Sequence, residues 1–491
     1  MGKVEIFFRK ILKFFKDITL WQGVAATVIG GVILWLCFKQ KPEPPAIPNS
    51  VVNQMGPNSV SQTAVGDNVN QVLNIDKSRS PSGGIYIERI ESGATVNINV
   101  VDYQDGVSKA EKGEVRKLFK EARAHYAKEE FREAIEGFAR CLDLEEDSEK
   151  RGALNLQIGN CYYEQQKYLK AAEFYAAGLR ESRKAKDLQG EASNLASIAN
   201  TYMLRPASGK KVRGDNVRKA VEQYNESLKV FNKDEYPVDY AGVQNNLGNA
   251  YAALPLATSE ERARNVRAAI ECYRAAMEIY KKDEYPVDYA MTQNNLGDAY
   301  AKLPAATAEE QAKNIRAAID CYRVTLEIRR KDEYPVDYAG TQNNMGNAYV
   351  YLPATTPEEQ AKNIKSAIDC YRAALEIWKK DEYPFEWALT QYNLGVAYAN
   401  LPAATAEERA GNIKEAIDCY RAALEIHKKD EYPQDYCQTA AAANLGLALA
   451  SINNPDACYW LKEAYALREY LEDQGKRLEE VIQRICKKEQ E

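Results

Sequence analysis

The sequence predicts an all-α fold, a solenoid of about eight helix pairs preceded by one transmembrane helix and a short β-rich connector. Three observations carry this. The motif QNNLGNAY at Gln244 returns as QNNLGDAY at Gln293, QNNMGNAY at Gln342 and QYNLGVAY at Gln391, a period of 49 residues. Apolar residues from about Val115 onward fall at helical spacing. Period-two alternation, the mark of strands, stops near Val101.

The elements are taken from the N-terminus. In residues 1–17, Val4, Phe7, Phe8, Ile11 and Phe15 share one helical face, and Lys3, Arg9, Lys10, Lys13 and Lys16 occupy the rest. Such a basic amphipathic segment suits an anionic surface. Residues 18–38 are 21 residues without a charge, which as a helix span about 30 Å, a hydrocarbon core. Trp21 and Trp35 stand near the ends, and Lys39 and Lys41 close it. The run exceeds a signal-peptide core and no small-residue cleavage site follows, so the expectation is an uncleaved single-pass membrane anchor. Basic residues before the span favour an N-terminus in the cytoplasm. Cysteines without an evident disulfide framework favour a reducing compartment for the repeats, so the side of the membrane stays open.

Residues 39–82 are rich in Pro, Asn and Ser, a stiff linker opening KPEPPAIP. Residues 83–105 include GGIYIERIESGATVNINVV, read as short strands. A lone hairpin is marginal in water, so these strands point to pairing with copies of themselves, a homo-oligomer.

Residues 110–470 form the repeat array. KDEYP follows the 49-residue period and places Pro237, Pro286, Pro335, Pro384 and Pro433; Ala220, Ala269, Ala318, Ala367 and Ala416 follow it too. Leu296, Gly297 and Tyr300 on a first helix, with Ala269, Tyr273 and Ala276 on a second, resemble the tetratricopeptide repeat. Two units of standard length precede the long ones, marked by Ala122, Ala134 and Phe138 and by Gly159, Tyr162, Ala171 and Tyr175. The resemblance implies a right-handed superhelix whose first helices line a concave groove. The long variant is similar to arrays in bacterial proteins that carry a protease or ATPase module, for which this chain has no room.

The long units add residues such as LPAATAEEQAKN at Leu303. Thr258 with Glu261, Thr307 with Glu310, Thr356 with Glu359 and Thr405 with Glu408 have capping-box spacing, and Pro357 sits where a first helical residue would. The insertion is expected to be a short ordered helical turn, with Asn216, Asn265, Asn314, Asn363 and Asn412 as N-caps of the second helix. The last unit drifts from the pattern, and residues 471–491 are expected to be a polar capping helix.

The composition excludes several functions. With 65 basic against 71 acidic residues, interspersed, the chain has a net charge of −6, which argues against a nucleic-acid partner. Of two histidines, His125 and His427, neither has a second ligand at metal spacing. Cys272, Cys321, Cys370 and Cys419 are one position of successive repeats and read as small buried apolar residues. No phosphate loop, dinucleotide fingerprint, HExxH or GxSxG occurs, and SGKKVRG at Ser208 lacks the required spacing. No enzyme activity, cofactor or metal is expected.

What remains is a ladder of asparagines. Asn245 with Asn249, Asn294 with Asp298, and Asn343 with Asn347 stand four apart and share a helical face. The resemblance places that face in the groove. Asn246, Asn295, Asn344 and Asn393 occupy positions that resemble the asparagine ladder in the repeats of O-linked N-acetylglucosamine transferase. A carboxamide offers both a donor and an acceptor to the backbone of an extended peptide, so the expected partners are proteins or peptides. The alternative is that these asparagines cap, solvate or bridge adjacent repeats. The functional expectation is a membrane-anchored scaffold with a peptide-binding groove; a self-assembling structural protein, or a non-catalytic subunit of a membrane complex, is the alternative.

Overall fold

Residues 109–206, 210–254, 258–426, 436–466 and 474–486 are described by a computed structural model of the chain. Among them are seventeen helices and no strand. The helices come in pairs: α1 (Lys109–Ala127) with α2 (Phe131–Leu144), α3 (Ser148–Glu164) with α4 (Tyr168–Ala185), α5 (Leu188–Leu204) with α6 (Lys210–Ser227), and α7 (Pro237–Ala253) with α8 (Ser259–Met277). There follow α9 (Pro286–Lys302) with α10 (Ala308–Ile328), then α11 (Pro335–Tyr351) and α12 (Pro357–Leu375), then α13 (Pro384–Asn400) with α14 (Ala406–Ile426), and α15 (Tyr436–Ser451) with α16 (Ala457–Ala466). The last described helix is α17 (Gln474–Cys486). The chain divides into two compact units, one ending at Ala348 and the other beginning at Tyr349.

In the first unit each helix from α1 to α9 packs on the next, and the first helices α3, α5, α7 and α9 also touch in sequence. This is a tetratricopeptide-like array, one layer of first helices and one of second helices, with contacts only between neighbours. Its core is likewise segmental: one cluster gathers Val115, Phe138 and Ile158, another Val217, Tyr224 and Leu247, another Ile270, Tyr273 and Leu296. In the second unit Ile368, Tyr371, Leu394, Tyr420 and Leu449 form one cluster, and α15, α16 and α17 share another.

Local chemistry sets the helix ends. Pro237, Pro286 and Pro384 open α7, α9 and α13, where a missing N–H costs nothing. The capping boxes form: Thr258, Thr307, Thr356 and Thr405 accept from the backbone N–H of Glu261, Glu310, Glu359 and Glu408 at 3.1–3.2 Å. The glutamates reach back in turn, Glu310 accepting from Ala306 N–H at 2.9 Å and Glu359 from Thr355 N–H at 2.8 Å.

The insertion is not a separate helical turn. It lengthens the second helix, which starts at the threonine cap and in α10 and α14 runs for 21 residues. Asn314 and Asn412 therefore lie inside these helices and are not N-caps. They reach across to the end of the first helix, where Nδ2 donates to the carbonyls of Leu303 at 3.5 Å and Leu401 at 3.3 Å. They thus satisfy orphan carbonyls at the C-terminus of the preceding helix.

Two further expectations change. Among the described residues no helix is long and apolar enough to cross a membrane, and the single-pass placement is corrected accordingly; residues 18–38, on which it rested, lie outside the described residues, as does the β-rich connector. Cys458 and Cys486 form a disulfide between α16 and α17, with Cα atoms 5.6 Å apart, where no disulfide framework was evident in the cysteine spacing. Cys272, Cys321, Cys370 and Cys419 are buried.

Within the pairs α3–α4, α7–α8 and α9–α10 the close approach depends on glycine. A Cβ on Gly248 would stand 2.5 Å from the Tyr273 ring, on Gly297 2.8 Å from Tyr322, and on Gly159 2.4 Å from Tyr175. These rings are fully buried and have no room to retreat. Gly→Ala inside a helix ordinarily stabilises by about 1 kcal/mol, whereas overpacking a rigid core costs about 1–3 kcal/mol. Gly297→Ala is therefore expected to lower the urea midpoint, and Gly411→Ala, whose Cβ would meet nothing within 4 Å, to leave it unchanged or raise it. A stabilised Gly297→Ala chain would show that the ring does not set the spacing.

Candidate functional site

The glycine that admits the tyrosine ring also aims its hydroxyl. Tyr273 donates to Asn249 Oδ1 at 2.7 Å, Tyr322 to Asp298 Oδ1 at 2.6 Å and Tyr175 to Asn160 Oδ1 at 2.8 Å. Tyr224 donates to Asn200 Oδ1 in the same way. In every case the acceptor follows directly on the small residue of the first helix: Gly248, Gly297, Gly159 or Ala199. One repeat position thus holds a carboxamide or carboxylate whose rotamer is locked by a buried phenol.

A second set of bonds joins neighbouring units. Asn246 Nδ2 donates to Asn200 Oδ1 at 3.3 Å, Asn295 Nδ2 to Asn245 Oδ1 at 3.1 Å, and Asn344 Nδ2 to Asp298 Oδ1 at 3.1 Å. The Thr341 hydroxyl donates to Asn294 Oδ1 at 3.3 Å. The first helices are stitched together by amides in the layer where α5, α7, α9 and α11 lie.

The expected ladder residues fall into two groups. Asn245 and Asn343 are 1% and 0% exposed, and Asn295 and Asn344 are also buried. Asn295 bonds to Asn245 and Asn344 to Asp298 across repeats. Asn246, Asn249, Asn294, Asp298, Asn347 and Asn393 are half-buried and reach the solvent boundary. The i, i+4 pairs starting at Asn245 and Asn343 are thus split, the first member buried and the second at the solvent boundary. Asn160 and Asn200 belong to the same repeat position in earlier units and were not singled out. Their signal was present in GNCY at Gly159 and ANTY at Ala199, which match GNAY at Gly248.

Asp298 is a carboxylate at the position that holds Asn160, Asn200, Asn249 and Asn347 in other units and Val396 in α13. Burial raises its carboxyl above the usual carboxylate range, while Lys302 one turn later and the Tyr322 hydroxyl work the other way. Burial likewise lowers the Lys302 ammonium, with Asp298 opposing. The two charges therefore support one another on the first-helix layer. Elsewhere the units are joined by exposed ion pairs, Lys282 with Glu327 at 2.6 Å and Lys380 with Glu425 at 2.6 Å, each worth little in water.

No group of three or more His, Cys, Asp or Glu converges as a metal site among the described residues. The thiols of Cys272, Cys321 and Cys419 are pushed up to about 12 by burial and are poor nucleophiles.

No family model and no curated protein matches the chain. Among solved structures it is similar to the apo form of RapI, at 15% identity and a TM-score of 0.42, over 65% of this chain and 99% of that one. It is similar to a Rap protein complexed with competence and sporulation factor, at 14% and 0.39, over 77% and 98%. It is also similar to the C-terminal part of a TPR repeat-containing protein from Cytophaga hutchinsonii, at 16% and 0.33, over 70% and 99%. The helix-pair repeat itself stands on the packing described above.

The tyrosine bonds have a measurable consequence. Asn249→Ala strands the Tyr273 hydroxyl and is expected to cost about 1–3 kcal/mol in urea unfolding, while Asn249→Asp, which keeps the acceptor, costs less. Adding Tyr273→Phe to Asn249→Ala should recover part of the loss. If Asn249→Ala is as stable as the parent chain, the bond does not hold the pair together.

Proposed function

We propose that this chain is a scaffold that holds partner proteins by an extended peptide segment laid along the first-helix layer of residues 188–348. In this reading it carries out no reaction of its own. One observation supports it above the others. In Asn200 and Asn249 the amide oxygen is occupied by a buried tyrosine hydroxyl, and Nδ2 has no partner among the described residues although both side chains reach the solvent boundary. The NH2 donors are the part of each carboxamide left for a ligand, and the locked rotamer lowers the entropy cost of using them.

Donors repeated at one position of successive parallel helices suit the carbonyl groups of an extended backbone, which recur at regular spacing whatever the side chains. Asp298, in the next unit, interrupts the donor row with an acceptor that a peptide N–H can meet. The buried members Asn245, Asn295, Asn343 and Asn344 keep the first helices in register and take no part in ligand contact.

The test replaces donors without disturbing the tyrosines. Linear peptides are selected on the parent chain from a phage-displayed random library and their Kd is measured by fluorescence anisotropy. The chain carrying Asn200→Asp and Asn249→Asp retains both phenol acceptors, and Asp298 is the precedent in this same protein for such a bond. Each lost amide contact is worth about 0.5–1.5 kcal/mol, and about 1.4 kcal/mol is tenfold in Kd, so the double variant is expected to bind about 5- to 100-fold more weakly at an unchanged urea midpoint. Equal binding by parent and variant, or failure of the parent to retain any linear peptide, would overturn the reading.

A further inference from the structure

The last pair of helices is closed in a way no other part of the described chain is. α17 lays Leu478, 0% exposed, and Val481 against Ala442, Ala443 and Leu447 of α15 and Leu461 and Ala464 of α16. Ile482 and Ile485 lie partly buried beside them. This is the polar-outside, apolar-inside end piece a solenoid needs. A helix of 13 residues is marginal alone in water, so its place depends on this one apolar contact and on the Cys458–Cys486 disulfide, which ties its last residue to the second residue of α16.

We infer that the Cys458–Cys486 disulfide is a redox-set latch: oxidised, it holds α17 over the end of the array, and reduced, it lets α17 leave. The two sulfurs are unequal. Cys458 is 6% exposed, whereas Cys486 is only half-buried, which directs attack to the Cys486 side. A thiolate of an external dithiol attacks Cys486 Sγ; the Cys458–Cys486 bond breaks, and its electron pair passes to Cys458 Sγ, which takes a proton. The second thiol of the dithiol attacks its partner sulfur in the mixed disulfide, closes an intramolecular disulfide in the reagent and releases Cys486 as a thiol. Two electrons and two protons move from the dithiol to the protein, and oxidation by a small-molecule disulfide runs the sequence backwards.

The response is selective among the described side chains because their other thiols are shielded. Cys141, Cys161, Cys272, Cys321, Cys370 and Cys419 are buried, and burial pushes the thiols of Cys141, Cys161, Cys272, Cys321 and Cys419 up to about 12. Reduction therefore acts at one end of the chain and leaves the repeats alone. What it uncovers is the apolar floor formed by Ala442, Ala443, Leu447, Leu461 and Ala464. The latch is independent of peptide binding on residues 188–348.

The experiment compares the full chain after glutathione disulfide with the same chain after dithiothreitol, by amide hydrogen exchange read on peptides covering 474–486 and 259–375. Non-reducing peptide mapping of the oxidised sample should find the 458–486 cross-link. Reduction is expected to speed exchange in 474–486 at least tenfold and to leave 259–375 unchanged; Cys486→Ser should exchange like the reduced chain in both buffers. Equal exchange of 474–486 in the two states, acceleration that spreads equally to 259–375, or a map in which Cys458 and Cys486 are both thiols after glutathione disulfide would each overturn the latch.

Discussion

A tyrosine ring on the second helices α4, α8, α10 and α14, seated over a glycine of the preceding first helix, sets the distance between the two helices of these pairs. Tyr175, Tyr224, Tyr273, Tyr322, Tyr371 and Tyr420 are all fully buried, and a buried aromatic ring is among the largest single apolar contributions a repeat can make. The phenol brings an obligation with its ring, since a buried hydroxyl without a partner destabilises. The residue after the glycine meets it in α3, α5, α7 and α9. Apolar packing, helix spacing and the position of a polar side chain at the solvent boundary therefore share one cause.

The second-order consequence is how units stack. A solenoid has no central core, so each unit must be stable through its neighbours. The amides of Asn246, Asn295 and Asn344 reach the preceding unit, and these are buried or half-buried bonds that fix register as apolar contact by itself does not. Exposed lysine–glutamate pairs repeat the linkage at the outside with less effect. The fifth unit is the exception to the amide rule: Asp298 and Lys302 place a supported charge pair on the layer, and Arg329 stands at a position where Tyr280 and Trp378 are fully buried, paired with Asp337 at 3.2 Å.

Some of this was legible residue by residue. The period, the proline starts and the threonine caps are properties of short sequence windows or of their repetition, and the described helices carry them. The role of the insertion was misread because a capping box says where a helix starts and not where it stops; the same Thr307 signal suits a short turn or a helix of 21 residues. Asn314 has the composition of an N-cap, yet the helix had already begun, and its amide turned to the carbonyl of Leu303. The asparagine ladder was visible as a pattern, but its division into Asn245, Asn295, Asn343 and Asn344 on one side and Asn249, Asn294 and Asp298 on the other was not.

By itself the sequence determined that this protein is a string of helix pairs, because a strict recurrence of apolar spacing, small residues and prolines admits one repeating local structure. It determined too that the chemistry on its first helices is that of carboxamides. Only the tertiary structure decided which of those carboxamides are buried between helices and which reach the solvent boundary, because two adjacent asparagines such as Asn294 and Asn295 are the same residue type and differ in what packs beside them. The closure of α17 by Cys458 and Cys486 was decided at the same level, since a pair separated by 28 residues is joined only when two helices bring it within bonding distance.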